Sequence, residues 1–203
     1  MPKENRSRKP KFKLKGRVIF FATGNFNKFN EARRTLAEHD IATAMLRVKN
    51  VEIQSDHLNE IAKASVIDAF STCHLPVIVE DAGLFVEALK GFPGPYAAYV
   101  YKTISNPGLL KLMEKVENRK ATFRSSIAYC DGQSAPRCFE GEVHGEIVYD
   151  ERCGTGRSGF GFDPVFQPTG SEKTFAEMAI EEKNCFSHRA NAVRKFGEWY
   201  KIT

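Results

Sequence analysis

The hydrophobic period of this chain changes near residue 120, and the change narrows the folds that it can adopt. Before that point, short apolar runs at 18–22 and 76–79 alternate with segments of helical spacing, which is typical of buried strands joined by helices. After it, apolar residues alternate with polar or small ones over 121–129 and 139–149, with a turn at 131–132. The sequence therefore predicts an α/β first half followed by a long antiparallel hairpin.

Helical spacing is clearest over 58–70, where apolar and small side chains recur every three or four residues after the cap candidates Ser55 and Asp56. A shorter helix is predicted over 26–36, directly after the first strand. Ser187 is predicted to cap a closing helix. The inner face of that helix is formed by Ala190, Val193, Phe196 and Tyr200.

Composition indicates a folded chain that does not cross a membrane. The chain has 203 residues, of which 42% are apolar and 27% charged, so it can bury a substantial core. No apolar run approaches the ~18 residues that a membrane-spanning helix needs. The five cysteines form no CxxC pair and no apolar signal segment precedes the first strand, which predicts a reducing, cytoplasmic setting.

Positive charge is concentrated at the start of the chain. Residues 1–17 carry eight basic residues against the single acid Glu4, whereas the rest carries 22 basic residues against 24 acidic ones. We therefore expect residues 1–16 to form a disordered basic tail and residues 17–203 to form one folded domain. The slightly acidic body argues against a nucleic-acid-binding face, so any such binding is expected through the tail alone.

Residues 23–28 connect the first strand to the first helix and bring together groups that suit phosphate. Thr23, Asn25 and Lys28 supply a hydroxyl, an amide and an ammonium beside the free N–H groups of a helix start. The alternative is a plain strand-to-helix turn that needs Gly24 for its backbone. The hexapeptide alone leaves both interpretations open.

Residues 154–159 match the spacing GxGxxG but not its structural context. The dinucleotide fingerprint must open a helix, whereas Gly161 and Pro164 follow here and prevent one. One interpretation is a flexible loop that presents Phe160 and Phe162 to a flat base. The other is that both rings belong to the core.

Three carboxylates are candidates for a metal site. Glu80 and Asp81 are predicted at the carboxyl end of the strand 76–79, where open α/β sheets place their ligands, and Glu52 precedes the helix at 58–70. Such carboxylates suit a hard cation such as Mg²⁺. The alternative for each is an acidic turn in solvent.

The closing helix begins with His188 and Arg189, although its dipole disfavours positive charge there by ~0.3–1 kcal/mol. A bound ligand rich in hydrogen-bond acceptors would offset that cost, and so would solvent exposure. Lys183 lies four residues before Ser187 and is expected to point into the same place.

Six segments, taken together in this order, resemble the inosine/xanthosine triphosphate pyrophosphatase family from Val18 to about Phe196. They are 23–28, 79–84, 92–95, 159–166, 174–178 and 183–189. The resemblance implies an α/β fold of two lobes around a long mixed sheet, with the active site in the cleft between them, and a homodimer. It also implies Mg²⁺-dependent hydrolysis of inosine, deoxyinosine and xanthosine triphosphates to the monophosphate and pyrophosphate.

By position, the resemblance assigns roles to the candidate residues. Thr23, Asn25 and Lys28 would hold the triphosphate, and Lys28 and Asp81 would be catalytic. Glu52 and Asp81 would bind the metal, with Glu80 as the alternative second ligand. The remaining implied substrate-binding residues are Lys63, Phe160, Phe162, Asp163, Lys183, Ser187, His188 and Arg189.

The chain departs from the family pattern at two positions and leaves two other functions open. Phe162 stands where many relatives carry Trp or Tyr, and Ala82 where many carry Ser or Thr. The first alternative function is a related pyrophosphatase of the septum-formation-inhibitor type. The second is a non-enzymatic nucleic-acid-binding protein that uses the basic tail.

Overall fold

The computed structural model describes residues 17–48, 51, 53–154 and 159–202. The predicted tail, the metal candidate Glu52 and positions 155–158 of the glycine-rich segment lie outside the described residues. The strands are β1 Arg17–Ala22, β2 Ile41–Leu46, β3 Val77–Val86, β4 Pro93–Gly94, β5 Lys120–Cys130, β6 Arg137–Ile147 and β7 Phe166–Pro168. The helices are α1 Phe26–Ala37, α2 Leu58–Cys73, α3 Ala97–Thr103, α4 Ser105–Leu112, α5 Ile180–Phe186 and α6 His188–Ile202. No described helix is long and apolar enough to cross a bilayer.

The strands form one mixed sheet in the order β2-β1-β3-β5-β6-β7, with the short β4 also paired to β3. β1 is parallel to both β2 and β3, because the helices α1 and α2 return the chain to the same end of the sheet each time. β3, β5, β6 and β7 are successive antiparallel neighbours. The predicted hairpin is confirmed as β5 and β6.

Strand β3 is longer than the sequence predicts. The apolar run indicates a strand that stops at Val79, but β3 continues through Glu80 and Asp81 to Val86. Strand β5 pairs with it residue by residue along its whole length and carries the backbone past the polar side chains. The expectation that Glu80 and Asp81 follow the end of a strand is therefore wrong, because a local pattern does not show the partner that extends the strand.

The edge of β3 opposite β5 has a gap in its strand pairing. The gap leaves an open sheet edge where a ligand can bind. β1 pairs with β3 as far as Ile78, and β4 pairs with it from Leu84 onward. Among the described residues no strand pairs with that edge over 79–83. Glu80 and Asp81 thus lie beside the carboxyl end of β1, although they are in the middle of their own strand.

Helices cover both faces of the sheet, and the core consists of a first region at the β1 end, with one cluster of buried residues on each face, and a second region beyond the gap. At the β1 end, one face packs against α1 and α6, and the other against α2. The α1/α6 face buries Ile19, Phe21, Leu36, Ile78, Val193 and Phe196. Beyond the gap, a second region buries Leu84, Val86, Leu109, Phe123, Ile147, Phe166 and Met178. The predicted α/β fold with two lobes around a mixed sheet is confirmed.

The two predicted helix caps have different outcomes. His57, rather than Ser55 or Asp56, is the N-cap of α2, and Ser55 Oγ accepts a hydrogen bond from the His57 N–H at 3.0 Å. At α6 the prediction is confirmed, because Ser187 Oγ accepts a hydrogen bond from the Ala190 N–H at 3.1 Å.

Glycine at position 141 lets α6 begin against the sheet. A Cβ at Gly141 would collide with the carbonyl oxygen of His188 and the backbone nitrogen of Ala192. Strand β6 and the first turn of α6 can touch only because that atom is missing. This contact fixes where His188 and Arg189 enter the molecule.

Candidate active site

Two cavities lie side by side at the gap in β3. The strand-edge cavity has a volume of about 860 Å³, and its polar lining includes Thr23, Asn25, Lys28, Ser65, Glu80 and Asp81. The aromatic cavity has a volume of about 500 Å³, and its lining includes Tyr101, Phe123, Phe160, Phe162, His188 and Arg189. They share Asn25, Lys28, Ala98 and Lys102. One cleft therefore has a polar part and an aromatic part.

The turn from β1 to α1 forms one wall of the strand-edge cavity. Asn25 is the N-cap of α1, and its Oδ1 accepts hydrogen bonds from the N–H groups of Asn27 at 2.9 Å and Lys28 at 3.2 Å. Thr23 Oγ1 accepts one from the Asn25 N–H at 3.1 Å. We expected free N–H groups at this helix start. That expectation is wrong for the N–H groups of Asn25, Asn27 and Lys28, because side chains in the turn already accept their hydrogen bonds.

Gly24 distinguishes the two interpretations of this turn. Its φ is not in the left-handed region, so the turn does not need glycine for its backbone. A Cβ at Gly24 would have no atom within 4 Å and would project into open space. The glycine therefore leaves room in the cavity, as expected of a site where a ligand approaches the backbone.

Glu80 is a buried anion between two cations. Its Oε2 lies 2.8 Å from Lys28 Nζ and its Oε1 lies 3.1 Å from Arg189 Nε, while Ser125 Oγ donates a hydrogen bond to Oε1 at 2.7 Å. Burial alone would raise the pKa of Glu80, but Arg189 and Lys28 outweigh it and hold that pKa far below its ordinary value. Glu80 is therefore ionised and links the first turns of α1 and α6.

Glu31 and Asp163 extend this ion network. Lys183 Nζ lies 2.8 Å from Glu31 Oε1 and 2.6 Å from Asp163 Oδ2, and its side chain is 2% exposed. Glu31 Oε2 is paired with Arg189 Nη1. Asp163 Oδ2 also accepts a hydrogen bond from the Phe160 N–H at 2.7 Å. This bond fixes the start of the loop that carries Phe160 and Phe162, which we call the aromatic loop.

Each charge in the network depends on its neighbours. Burial would raise the pKa of Glu31, but Arg189 and Lys183 outweigh it and lower that pKa. For Asp163, burial together with the nearby Glu31 carboxylate outweighs the attraction of Lys183, so its pKa is raised. Burial disfavours the charged form of Arg189, but Glu80 and Glu31 raise its pKa, so the guanidinium stays charged.

The two phenylalanines of the aromatic loop have different surroundings. Phe162 is buried in the second core region, and its ring meets Tyr101 edge-on at 5.5 Å between centroids. Phe160 is half-buried, with Lys183 Nζ 5.1 Å and Arg189 Cζ 5.4 Å from its ring centroid. Phe162 is therefore a core residue that also lines the cavity, and Phe160 is the more accessible ring.

His188 presents a neutral ring to the aromatic cavity. It stacks on Phe123 with 4.7 Å between centroids and an interplanar angle of 8°. Burial and the adjacent Arg189 guanidinium lower the pKa of His188 well below its ordinary value. Its Nδ1 is buried and has no hydrogen-bond partner among the residues that the structure describes.

The remaining predicted site residues differ in whether they line the cleft. Asp81 lines the strand-edge cavity. Lys183 and Ser187 line neither cavity as described: Lys183 is fixed between two carboxylates, and Ser187 is fully buried as a helix cap. Lys63 lines a separate cavity of about 650 Å³, together with Arg124.

Several residues of the site were not among the sequence candidates. They are Glu31, Ser125, Tyr101, Lys102 and Phe123. The sequence does contain a signal for Glu31, because it precedes Ala32 on the apolar side of α1, and a carboxylate on a buried helix face needs a cationic partner. The other four come from distant segments and have no such local signal.

Comparison with known proteins gives one consistent result. The sequence model of the Ham1 family matches residues 19–199. A dITP/XTP pyrophosphatase of Methanopyrus kandleri is 49% identical over 90% of this chain and 96% of its own. The protein of the same name from Hyperthermus butylicus is 48% identical over 93% of this chain and 97% of its own.

Solved structures agree with the sequence comparison. The Ham1 protein of Staphylococcus aureus has a TM-score of 0.77 and 27% identity, covering 92% of this chain and 99% of its own. The HAM1 protein of Coxiella burnetii also has a TM-score of 0.77, with 26% identity over 92% of this chain and 100% of its own. The similarity therefore extends over both lobes.

Proposed function

Because the chain belongs to the Ham1 family, we propose that it hydrolyses non-standard purine nucleoside triphosphates to the monophosphate and pyrophosphate. Its substrates would be the triphosphates of inosine, deoxyinosine and xanthosine. The observation that carries the proposal is the two-part cleft, in which a polar cavity and an aromatic cavity share Lys28 and Lys102. A nucleotide has the same two parts, a phosphate chain and a flat base.

The strand-edge cavity would bind the phosphate chain. Thr23, Asn25 and Lys28 lie together at the start of α1, and the space left open by Gly24 admits phosphate oxygens close to the backbone. Lys28 Nζ is held by Glu80 at 2.8 Å, which restricts its ammonium before substrate arrives.

The donor set in this cavity suits Mg²⁺, which takes one or two protein carboxylates and completes its shell with phosphate oxygens and water. Asp81 is half-buried and lines this cavity, whereas Glu80 is enclosed by two cations and a hydroxyl. We propose Asp81 and Glu52 as the protein ligands, although Glu52 lies outside the described residues. Phosphate oxygens of the substrate, together with water, would complete the coordination shell. When bound, the ion would neutralise charge on the phosphates.

Asp81 would also orient or deprotonate the attacking water. Phosphoryl transfer needs a positioned water and neutralised oxygens rather than a covalent intermediate. Water would attack the α-phosphorus, the bond to the bridging oxygen would break, and pyrophosphate would leave. Lys28 would stabilise the negative charge that develops on the phosphate oxygens.

The aromatic cavity would select the base. Inosine and xanthosine present an oxygen acceptor at position 6, where adenosine presents an amino donor. Arg189 keeps its charge and is fixed by Glu31 and Glu80, and His188 offers a neutral ring whose Nδ1 has no partner in the described part of the chain. A 6-oxo base would satisfy these donors, whereas adenine would leave a buried donor facing another donor.

Lys183, Ser187 and Asp163 would act mainly as positioning residues. Lys183 joins Glu31 to Asp163, Asp163 holds the Phe160 backbone, and Ser187 caps α6. We retain Lys63 as a substrate-binding candidate, but its separate cavity places it outside the two-part cleft as described.

The reaction is tested with purified protein, Mg²⁺ and a panel of ITP, dITP, XTP, GTP and ATP. Pyrophosphate and orthophosphate are measured separately. We expect pyrophosphate from the first three substrates and little turnover of ATP. Orthophosphate released with a nucleoside diphosphate would refute the reaction, and equal rates for ATP and ITP would refute the proposed base recognition.

A pair of adjacent variants tests the chemical role of Asp81. Asp81→Asn is expected to lower kcat by ~10² or more with little change in melting temperature, the scale of lost acid-base or electrostatic catalysis. Glu80→Gln is expected to lower the melting temperature as well, because Lys28 loses its carboxylate partner and Arg189 loses one of its two buried carboxylates, Glu31 being the other. Normal turnover by folded Asp81→Asn at saturating Mg²⁺ would exclude Asp81 from the chemistry.

We also propose a homodimer in the cytoplasm. The described cysteines are all free, as in a reducing compartment, and large apolar side chains are exposed around the start of α3, including Tyr96 at 41% and Tyr99 at 69%. Sedimentation at several protein concentrations tests the dimer.

The basic tail carries the only charge excess that would favour nucleic acid, and its removal is not expected to change ITP turnover.

A further inference from the structure

The buried ion network of the cleft has no net formal charge. Its three cations are Lys28, Lys183 and Arg189, and its three anions are Glu31, Glu80 and Asp163. Asp81 adds a further negative charge to the strand-edge cavity. A nucleoside triphosphate carries about four negative charges near neutral pH, so this network alone does not attract it.

Lys102 is the exception among the cleft cations. It lines both cavities, as does Lys28, but Lys28 is paired with Glu80. The side chain of Lys102 is exposed, and it makes no hydrogen bond or ion pair with any residue that the structure describes. Of the cations that line the two cavities as described, it alone has no carboxylate partner.

The position of Lys102 is set by its own helix. Lys102 lies in the last turn of α3, which is anchored by the buried Val100 and by the edge-on contact of Tyr101 with Phe162. On the preceding turn, Ala98 lines both cavities with a side chain too small to fill them. Lys102 therefore lies where the two cavities meet.

We propose that Lys102 is a substrate-binding residue that contacts the phosphate chain near its junction with the nucleoside. The inference rests on the proposed function, since it needs a substrate that extends across both cavities. A lysine with three free donors suits an anionic oxygen at that junction, and its charge is not cancelled by the ion network. It would supply attraction to the substrate that the balanced network lacks.

Three variants test this proposal through ITP hydrolysis with Mg²⁺. Lys102→Gln removes the charge, Lys102→Arg keeps it, and Lys111→Gln on the neighbouring α4 removes an exposed charge that lines neither cavity of the cleft. We expect Lys102→Gln to raise KM roughly tenfold while kcat changes less than about twofold, as for lost uniform binding. Lys102→Arg should stay near wild type, as should Lys111→Gln.

The salt dependence separates an ionic contact from a structural effect. In the wild type KM should rise steeply with NaCl, and in Lys102→Gln it should rise less, because one screened charge pair has been lost. An unchanged KM, an unchanged salt dependence, or the same KM increase in Lys111→Gln would overturn the proposal.

Binding of α,β-imido-ITP by each protein distinguishes failure of this proposal from failure of the proposed function. If the wild type binds the analogue without releasing pyrophosphate from ITP, the proposed reaction is wrong, and a tenfold weaker affinity of Lys102→Gln still supports the contact. If the wild type neither binds nor hydrolyses, both proposals are refuted.

Discussion

Replacing Glu31 by Gln tests whether the buried ion network holds the two sides of the cleft together. Glu31 is 4% exposed and lies on the buried side of α1. One of its oxygens is 2.8 Å from Lys183 Nζ, and the other is paired with the Arg189 guanidinium. Glutamine keeps the shape but removes the charge, and it turns an amide donor toward one of these two cations.

The magnitude follows from the burial of all three partners. Removing one member of a buried ion pair costs about 3–5 kcal/mol, because the remaining charge loses its partner without regaining water. In this case Arg189 keeps Glu80 and Lys183 keeps Asp163, so we expect the lower end, about 3 kcal/mol. For a chain of this length that is a decrease in melting temperature of roughly 6–12 °C.

The matched control is Glu38→Gln at the end of the same helix. Glu38 pairs with Arg194 at 3.1 Å, but the two side chains are 49% and 30% exposed, so its loss should cost less than about 1 kcal/mol. Chemical denaturation of both variants at pH 7 gives the two free energies of unfolding. Equal losses for Glu31→Gln and Glu38→Gln would refute the argument that burial decides the strength of this network.

Two further predictions concern the two cavities. The free energy of unfolding should decrease as pH falls below about 6.5, by at most about 1.4 kcal/mol per pH unit. The reason is that the lowered pKa of His188 keeps its ring neutral in the folded state, while the same ring takes up a proton in the unfolded state. Denaturation between pH 7 and 5 should show a smaller slope for His188→Gln than for the wild type. Gly24→Ala should change the free energy of unfolding by less than about 1 kcal/mol, because its Cβ meets no atom within 4 Å, yet it should lower kcat/KM for ITP by occupying the cavity. An unfolded Gly24→Ala protein, or one with normal kinetics, would show that the open space at Gly24 has another role.

Local sequence patterns predicted much of the fold. The buried strand β1, the helix α1 that follows it and the hairpin of β5 and β6 all show their own period over at least five residues. The Ser187 cap was also predictable, because a cap is formed between residues three apart in sequence. These features depend on contacts between near neighbours, which a sequence shows directly.

The site was predictable only in part. The resemblance singled out Thr23, Lys28 and Asp81 because they lie in short recognisable segments, and the structure brings these three residues into one cavity. It gave no reason for Glu80 to be fully enclosed by Lys28 and Arg189, which are 52 and 109 residues away from it. Strand β5 decided this by extending β3, and Gly141 contributed by letting α6 approach the sheet.

By itself, the sequence determined most of the secondary structure, the acidic body and the family, because each is encoded in composition or in short motifs. The tertiary structure decided which charges cancel. Lys28, Lys183 and Lys102 are the same residue type in the sequence, yet two are neutralised by carboxylates and one is exposed beside both cavities. The attraction that a charged side chain exerts on a ligand depends on its burial and on the charged partners brought to it from distant segments. Only the folded chain sets both.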